Sequence, residues 1–375
     1  MINPVRKAIL AVNNRGYGLL RMLIFQQTAQ GAHERILDTL TKADASDFAC
    51  NVASTVHSMS FRTHQIDIGG VLLQHPFILA AGFVKGHGFA NEGDALKAVE
   101  MGMNIIPGWK SMPRLVGAVE YGSFTRDPRI GNPGTVMWRD VKTQSTQNRV
   151  GLKNPGVEAA ATFLLQHVID LPHTFGVNIA VSPGVSDEQA VIDVRESFNA
   201  FLKRGVIPNW FTLNVSCPNT EDDPSGNQTE SLTRSLCETA LNAIREAGFD
   251  TPLWVKLGPD LAESQYKLLV KLFAEIGVKA VVATNTIGQP TPDDKNVQAG
   301  VGGGKLHPHA VNTATLLYRE AQLSGYPVDV IGCGGVMDGD SYLAYKANGI
   351  SVVQYWSALV FRGPLAAAII ETEYA

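Results

Sequence analysis

The residue types best able to do chemistry in this chain are concentrated in residues 210–220, where an apolar run ends in a polar group. The run is typical of a buried parallel strand up to Asn214, and Pro218 stops it because proline has no backbone N–H to donate. Cys217 lies between Asn214 and Asn219. A thiolate can take a proton, and the two amides can hold a planar ligand through paired donors and acceptors. A lone cysteine is more often a packing residue, so the choice depends on the rest of the chain.

Composition and charge favour a globular protein without a nucleic-acid partner. Of the 375 residues 45% are hydrophobic and 18% charged, which is ordinary for a soluble protein with a large core. The net charge of −4 and the lack of a basic tract argue against nucleic-acid binding. The cysteines lack the spacing of metal ligands or of a disulfide framework, so we predict no metal site and a reducing compartment. They are Cys50, Cys217, Cys237 and Cys333.

The first 45 residues differ from the rest because apolar clusters alternate with basic residues. We expect Asn13-Asn14 and residues 16–18 to break this segment into two or three short amphipathic helices. No apolar run reaches the roughly 18 residues of a spanning helix, and no signal-peptide cleavage site is evident. The segment is either a helical cap on the main domain or a helical pair in a membrane interface, with arginines toward lipid head groups. The apolar clusters are residues 9–12, 19–20, 22–25 and 36–37, and the basic residues are Arg6, Lys7, Arg15 and Arg21.

From residue 66 onward, short apolar strands alternate with stretches long enough for helices, such as residues 231–247. Eight βα units in roughly 300 residues predict an α/β fold, a TIM (β/α)8 barrel at 46–375 preceded by the N-terminal amphipathic helical segment at 1–45. A doubly wound sheet competes, but no Gly-x-Gly-x-x-Gly follows the first strand. Residues 66–73 are expected to form a small hairpin or plug. The predicted strands are residues 76–82, 118–123, 175–181, 210–217, 253–257, 280–285, 328–332 and 352–357.

Polar residues fall at the carboxyl ends of these predicted strands, where barrel enzymes build their active sites. Polar groups in such positions are costly unless they meet a ligand. They are Lys85, Ser123, Asn178, Asn214, Cys217, Lys256, Thr284, Asn285, Thr286, Tyr355, Trp356 and Ser357.

Two glycine clusters indicate the kind of ligand. Residues 302–305 read Gly-Gly-Gly-Lys after the sixth strand, and residues 332–335 read Gly-Cys-Gly-Gly at the end of the seventh. Glycine lets backbone amides approach an anion, and barrels often hold a phosphate at this place. Together with the lysines at strand ends, the clusters predict a phosphorylated cofactor.

A series of short motifs resembles dihydroorotate dehydrogenase, in that family's order, from about residue 17 to 364. The resemblance implies a TIM barrel that holds flavin mononucleotide (FMN) and oxidises dihydroorotate to orotate in pyrimidine synthesis. The motifs are residues 80–85, 122–123, 148–151, 176–178, 214–220, 255–256, 284–286, 334–336 and 354–357.

Residue by residue, the resemblance implies two sets of ligand contacts. The expected FMN contacts are Ala81, Gly82, Lys85, Ser123, Asn178, Lys256, Thr284, Gly304, Gly335, Tyr355, Trp356 and Ser357. The expected substrate contacts are Lys85, Asn148, Asn214, Asn219, Asn285 and Thr286. Asparagine amides suit the ring N–H groups and carbonyls of orotate, and a lysine suits its carboxylate.

The implied reaction removes a hydride and a proton from adjacent carbons. Lys256 would stabilise negative charge that develops on the reduced flavin. Cys217 would be the general base, because a thiol with a pKa near ~8.5 needs only a modest fall to give thiolate at neutrality. Residues 219–230 form a long polar loop that could close over the substrate.

The features of this chain that bear on the electron acceptor resemble two different classes of the family. Cysteine at the base position resembles the soluble class, whereas residues 18–35 resemble the membrane-associated, quinone-using class. By the same resemblance His33 and Arg139 line a quinone path, and residues 103–117 look like an insertion. We expect a quinone acceptor and a peripheral membrane protein on the cytoplasmic face. The alternative that follows from Cys217 is a cytoplasmic enzyme that uses fumarate or a partner protein.

Two rival functions stay open from the sequence. One is an FMN barrel oxidoreductase that acts on another pyrimidine-like substrate. The other is a flavin-binding barrel without turnover, kept for a membrane or protein partner. The base, the lysines and the asparagines together favour dihydroorotate oxidation over both.

Overall fold

Strands and helices alternate along most of the chain, as predicted. The computed structural model describes residues 4–216 and 229–374. The strands are β1 (Ile66–Ile68), β2 (Val71–Leu73), β3 (Phe77–Leu79), β4 (Val119–Phe124), β5 (Met137–Asp140), β6 (Ser145–Asn148), β7 (Phe175–Ala180), β8 (Trp210–Asn214), β9 (Leu253–Leu257), β10 (Ala280–Ala283), β11 (Ile287–Pro290), β12 (Gln298–Gly303), β13 (Asp329–Cys333) and β14 (Val353–Tyr355). The helices are α1 (Pro4–Ile24), α2 (Ala29–Asp44), α3 (Asp47–Ser60), α4 (Glu92–Glu100), α5 (Ser111–Val116), α6 (Val157–Gln166), α7 (Asp187–Leu202), α8 (Glu230–Glu246), α9 (Glu263–Ile276), α10 (His307–Ser324), α11 (Gly339–Lys346), α12 (Ser357–Arg362) and α13 (Ala366–Tyr374), and a 3₁₀ turn covers Val168–Asp170.

The predicted barrel is confirmed. Strands β3, β4, β7, β8, β9, β10, β13 and β14 pair in parallel and in that order, and β14 pairs with β3 to close the ring. Strand β9 has the predicted bounds, because its buried and mainly apolar run is bounded by Pro252 and by Gly258. Strand β8 ends at Asn214 rather than at residue 217, which lies outside the described residues.

The amino-terminal mouth of the barrel is closed by the predicted hairpin. Strands β1 and β2 pair antiparallel, and Ile68 and Leu73 pack against Trp210 and Trp254 inside the barrel. The two indoles stack with ring centroids 4.6 Å apart. Trp254 Nε1 donates to the Gly69 carbonyl at 3.0 Å, so the hairpin is fixed by a hydrogen bond as well as by apolar packing.

Helix α1 corrects the prediction for the N-terminal segment. It is continuous from Pro4 to Ile24, so Asn13-Asn14 and residues 16–18 do not break it. A glycine in a helix costs roughly 1 kcal/mol relative to alanine, and tertiary contacts along one face offset that cost. Arg6 pairs with Glu371 of α13, and Tyr17 Oη donates to the Val360 carbonyl at 2.6 Å. No helix within residues 4–216 and 229–374 is long and apolar enough to cross a membrane.

The end of α2 is fixed to the barrel by Asp44. This carboxylate accepts from the backbone N–H of Gly108 at 2.6 Å and of Ser111 at 2.8 Å, and from Nδ2 of Asn104 at 2.9 Å. Residues 103–117, predicted as an insertion, therefore supply the N–H groups that bind the end of α2. We refer to α1 and α2 as the cap. Helix α3 continues the helical structure past residue 45 and packs on α5.

A four-stranded antiparallel sheet lies over the carboxyl end of the barrel, in the order β11-β12-β6-β5. The sequence reasoning did not predict it. Its strands are short and carry glycine, glutamine and threonine in place of an apolar alternation.

Candidate active site

A cavity of about 700 Å³ lies at the carboxyl ends of the barrel strands and continues between the two cap helices. Most of the predicted site residues line it. They are Ala81, Gly82, Lys85, Ser123, Asn148, Asn178, Asn214, Lys256, Thr284, Asn285, Thr286, Gly335, Tyr355, Trp356 and Ser357 from the barrel side, with His33 and Arg139 beside the cap.

Three further site residues were predicted from the sequence. Cys217 and Asn219 lie outside the described residues, as does most of the predicted lid at 219–230. Gly304 lies just behind the wall, where a side chain would run into the Thr143 carbonyl. Its neighbour Gly303 lines the cavity instead.

The asparagines at the ends of β8 and β10 hold one another in place. Asn285 Nδ2 donates to Asn214 Oδ1 at 3.2 Å and also to the Ser216 carbonyl. Asn285 Oδ1 accepts from the Thr286 backbone N–H at 2.9 Å. These bonds fix the amide planes before any ligand arrives, which reduces the ordering cost of binding.

Buried polar atoms in the cavity wall have no hydrogen-bond partner among the described residues. They are Asn178 Oδ1, Thr286 Oγ1 and the Tyr355 hydroxyl. Burial raises the pKa of Tyr355 above its ordinary value, so the phenol stays protonated. An unpaired buried polar atom costs roughly 1–3 kcal/mol, and a polar ligand in this cavity would remove that cost.

Lys256 projects from β9 into the barrel and is only 6% exposed. Its ammonium donates to Gln354 Oε1 at 3.2 Å and to Cys333 Sγ at 3.5 Å. Burial raises the pKa of the Cys333 thiol, and the nearby Lys256 works in the opposite direction. The two neutral acceptors leave the lysine charge available to an anionic or electron-rich ligand.

The two glycine clusters predicted from the sequence meet at the start of α10. Gly303 and Gly335 both have positive φ, at 82° and 66°, and a side chain on Gly335 would lie 2.7 Å from the Gly303 carbonyl. Only glycine allows this approach of backbone to backbone. Lys305 turns away to pair with Asp140 at 3.0 Å and lowers the pKa of that carboxyl to about 2. The Lys305 ammonium is therefore engaged outside the cavity, and an anion bound between the two glycine clusters would have to be held mainly by backbone N–H groups.

The family model described as dihydroorotate dehydrogenase matches residues 64–375. This chain belongs to the dihydroorotate dehydrogenase family. That membership confirms the predicted family and places the protein among flavin-dependent oxidoreductases.

Curated relatives agree with the family, and solved structures agree with the fold. A relative named dihydroorotate dehydrogenase (quinone) from Natronomonas pharaonis is 27% identical over 93% of this chain and 91% of its own. One of the same name from Chloroflexus aurantiacus is 29% identical over 90% of this chain and 89% of its own. A ligand-free structure of the Eimeria tenella protein has a TM-score of 0.70 at 22% identity, covering 88% of this chain and 92% of that one. Its complex with ferulenol gives a TM-score of 0.67, also at 22% identity, over 88% and 90% of the two chains.

Towards the cap, the cavity of this dihydroorotate dehydrogenase family member becomes mainly apolar. Burial, with Lys85 and Lys153 nearby, lowers the pKa of His33 to about 4, so its ring is neutral near pH 7. The apolar lining on this side is Leu20, Ile24, Ala32, Ile36, Leu40, Met112, Leu115, Val360 and Pro364.

Arg139 connects the cap to the antiparallel sheet. Its guanidinium donates to the carbonyls of Phe25, at 3.0 Å, and of Gln27, where α1 turns into α2. It also lies over the Phe25 ring, 4.2 Å from the centroid. Arg139 therefore lines the cavity and also caps the end of α1.

Sequence reasoning missed several residues of this site. Thr146 Oγ1 lies 2.6 Å from Ser357 Oγ and links the sheet to the end of β14. Gln354 and Cys333 contact Lys256, and Glu120 lies beneath them in the barrel. The signal for Glu120 was available: a charged residue inside the apolar strand Val119–Phe124 requires a buried partner.

Proposed function

We propose that this protein oxidises (S)-dihydroorotate to orotate with bound FMN and passes the electrons to a quinone, in de novo pyrimidine biosynthesis. The observation that carries the proposal is one cavity with three linked parts: a glycine-rich anion site, a cluster of pre-oriented asparagines beside a buried lysine, and an apolar extension under the cap. Each part suits one of the three molecules.

FMN fits the barrel end of the cavity. Gly303 and Gly335 at the start of α10 would hold the phosphate. Asn178 Oδ1 offers an unpaired acceptor to the ring system, and Lys256 offers a donor and a positive charge. When bound, FMN supplies the hydride acceptor for the substrate and the electron donor for the quinone.

The substrate would bind against the asparagine cluster. Asn148, Asn214 and Asn285 line the cavity, and the proposal adds Asn219 by resemblance. Their amides would meet the ring N–H and carbonyl groups of dihydroorotate. Lys85 would meet the carboxylate, and the Thr286 hydroxyl adds a group without a partner.

Cys217 is our proposal for the general base. It follows Ser216, whose carbonyl is held by Asn285 next to the substrate cluster. A thiolate there would take the proton from the carbon next to the one that loses the hydride, which gives the ring double bond of orotate.

The cap would serve the quinone and the membrane. Apolar side chains on the outer face of α1 are exposed, among them Val12 at 72%, Leu19 at 64% and Leu23 at 62%. The opposite face holds Arg6 and Tyr17 against the barrel. An amphipathic helix with this division binds an interface and keeps its docked face on the protein. We propose peripheral attachment to the cytoplasmic face, with the apolar cavity extension as the quinone path.

Anaerobic mixing tests the proposed function. Dihydroorotate should bleach the flavin absorbance, and a short-chain quinone should restore it. Yellow protein that dihydroorotate does not bleach would favour another substrate or a flavin barrel without turnover. Rapid turnover with fumarate and none with a quinone would favour the cytoplasmic alternative.

A further inference from the structure

Glu120 is a carboxylate with no exposed surface in the middle of the barrel, on β4. Four side chains from β7, β8 and β14 donate to it. Asn178 Nδ2 donates to Oε1 at 2.7 Å, and Trp210 Nε1, Thr212 Oγ1 and Gln354 Nε2 donate to Oε2 at 2.9, 2.7 and 3.0 Å. Both carboxylate oxygens are therefore acceptors, and no described cation contacts them directly.

Glu120 fixes the orientation of the Asn178 amide. Because Glu120 holds its Nδ2, the Oδ1 of the same amide is the atom left for the cavity, and it has no partner among the described residues. A ligand meets an acceptor at this position. If the amide were reversed, the ligand would meet a donor.

Glu120 also fixes the position of the Lys256 ammonium, through Gln354. Gln354 gives its Nε2 to Glu120, so its Oε1 must face the other way, where it accepts from the Lys256 ammonium at 3.2 Å. The Glu120 carboxylate and the Lys256 ammonium are thus linked through the Gln354 carboxamide and do not contact each other directly. Glu120 orients Gln354, and Gln354 in turn holds the ammonium at the cavity wall.

We propose that Glu120 is a positioning residue that sets the hydrogen-bond polarity of the flavin side of the cavity, through Asn178 on one arm and through Gln354 and Lys256 on the other. The inference rests on the proposed function, because it assumes that FMN occupies this wall. An FMN ring edge carries both N–H and carbonyl groups, so a wall with a fixed acceptor and a fixed cation matches it in only one orientation.

The variant Glu120→Gln tests this polarity with almost no change of shape. A carboxamide has one oxygen and one NH₂ group, so it cannot accept on both sides. If the new NH₂ group faces Asn178, the Asn178 amide must reverse and present its own NH₂ group to the cavity. If it faces Gln354, the Gln354 amide must reverse and place its NH₂ group against the Lys256 ammonium. Thr212→Val is the matched control, because it removes one bond to Glu120 and leaves both arms in place.

The readouts are FMN affinity, from titration of cofactor-free protein, and the flavin midpoint potential, measured at an electrode without substrate. We expect Glu120→Gln to weaken FMN binding about 10-fold or more. It should also raise the potential, since a buried negative charge near the reduced flavin is lost. Thr212→Val should keep the parent potential and stay within about 3-fold of the parent affinity.

Parent-like affinity and potential in Glu120→Gln would overturn the proposal, and so would equal effects in Thr212→Val, since those would indicate packing alone. If Glu120→Gln does not fold, Gln354→Leu tests the second arm. It should raise the potential because the Gln354 carbonyl no longer competes for the Lys256 ammonium, and an unchanged potential would refute that arm. Failure of the proposed function is distinguishable, because it would show as parent protein that binds no FMN or is not reduced by dihydroorotate.

Discussion

The two walls of the cavity are built on different principles. The barrel wall is made of strand ends, and its polar atoms are held by hydrogen bonds such as those between Asn285 and Asn214. The cap wall is made of two helices whose cavity face is mainly apolar, with Tyr17 and Arg139 as its polar attachments. Binding of a polar ring and passage of an apolar acceptor can therefore be assigned to separate parts of the fold.

Replacing the proposed general base should change the rate of flavin reduction more than any other substitution. Cys217→Ala should slow flavin reduction by dihydroorotate about 10²–10⁴-fold, because the proton loses its acceptor. FMN should stay bound, and reoxidation by a quinone should be unchanged. Cys217→Ser, the matched variant, should keep some activity that rises at higher pH. Flavin reduction at the parent rate in the alanine variant would make Cys217 a packing residue.

A smaller effect is expected from the asparagine cluster. Asn285→Ala removes the donor to Asn214 Oδ1 and to the Ser216 carbonyl, so orotate should bind about 10-fold more weakly or worse. Equilibrium titration of the oxidised protein measures this affinity. Asn296→Ala, in the exposed loop between β11 and β12, should bind orotate like the parent. Equal affinities in both variants would point to a different substrate.

Substitutions on the outer face of the cap should have a still smaller effect, and on membrane binding rather than on flavin reduction. Leu19→Asp combined with Leu23→Asp should reduce co-sedimentation with lipid vesicles several-fold, because the charges would have to enter the interface. Flavin reduction by dihydroorotate should be unchanged. Leu323→Asp is the control, since Leu323 is 87% exposed on α10, away from the cap. Equal vesicle binding by all variants would refute attachment through α1.

The segment just before the first barrel strand, which packs against α3, should give the smallest effect, and on folding stability rather than on activity. Burial, with His57 of α3 nearby, lowers the pKa of His75 to about 3. The unfolded chain takes up that proton near pH ~6.5, so stability is present above that pH and is lost as the pH falls toward about 3. The slope for one such group is up to ~1.4 kcal/mol per pH unit. His75→Phe should flatten the pH dependence of unfolding of the cofactor-free protein, and an unchanged slope would assign the acid sensitivity elsewhere.

The barrel could be predicted from sequence because parallel buried strands are nearly continuous apolar runs, as in Leu253–Leu257. The family could be predicted because its motifs follow strand ends in order, and the family model confirms it. The roles of individual site residues stay predictions. Local signals misled at α1, where contacts of Arg6 and Tyr17 outweigh the helix-breaking asparagines and glycines. The partners of Glu120 could not be predicted, because they come from three other strands that meet only in the closed barrel.

A rapid-mixing measurement tests whether the barrel wall and the cap wall serve separate half-reactions. Flavin reduction by dihydroorotate and reoxidation by a short-chain quinone are followed in Asn285→Ala and in Ala32→Phe, whose larger side chain would fill the cap side of the cavity. Ala45→Phe, at an exposed position just after α2, is the control. We expect Asn285→Ala to slow only the reduction. We expect Ala32→Phe to slow only the reoxidation, because its ring would occupy the proposed quinone path; a slowing of about 10-fold corresponds to ~1.4 kcal/mol. If Ala32→Phe slowed both steps equally, or neither, the two walls would not serve separate half-reactions.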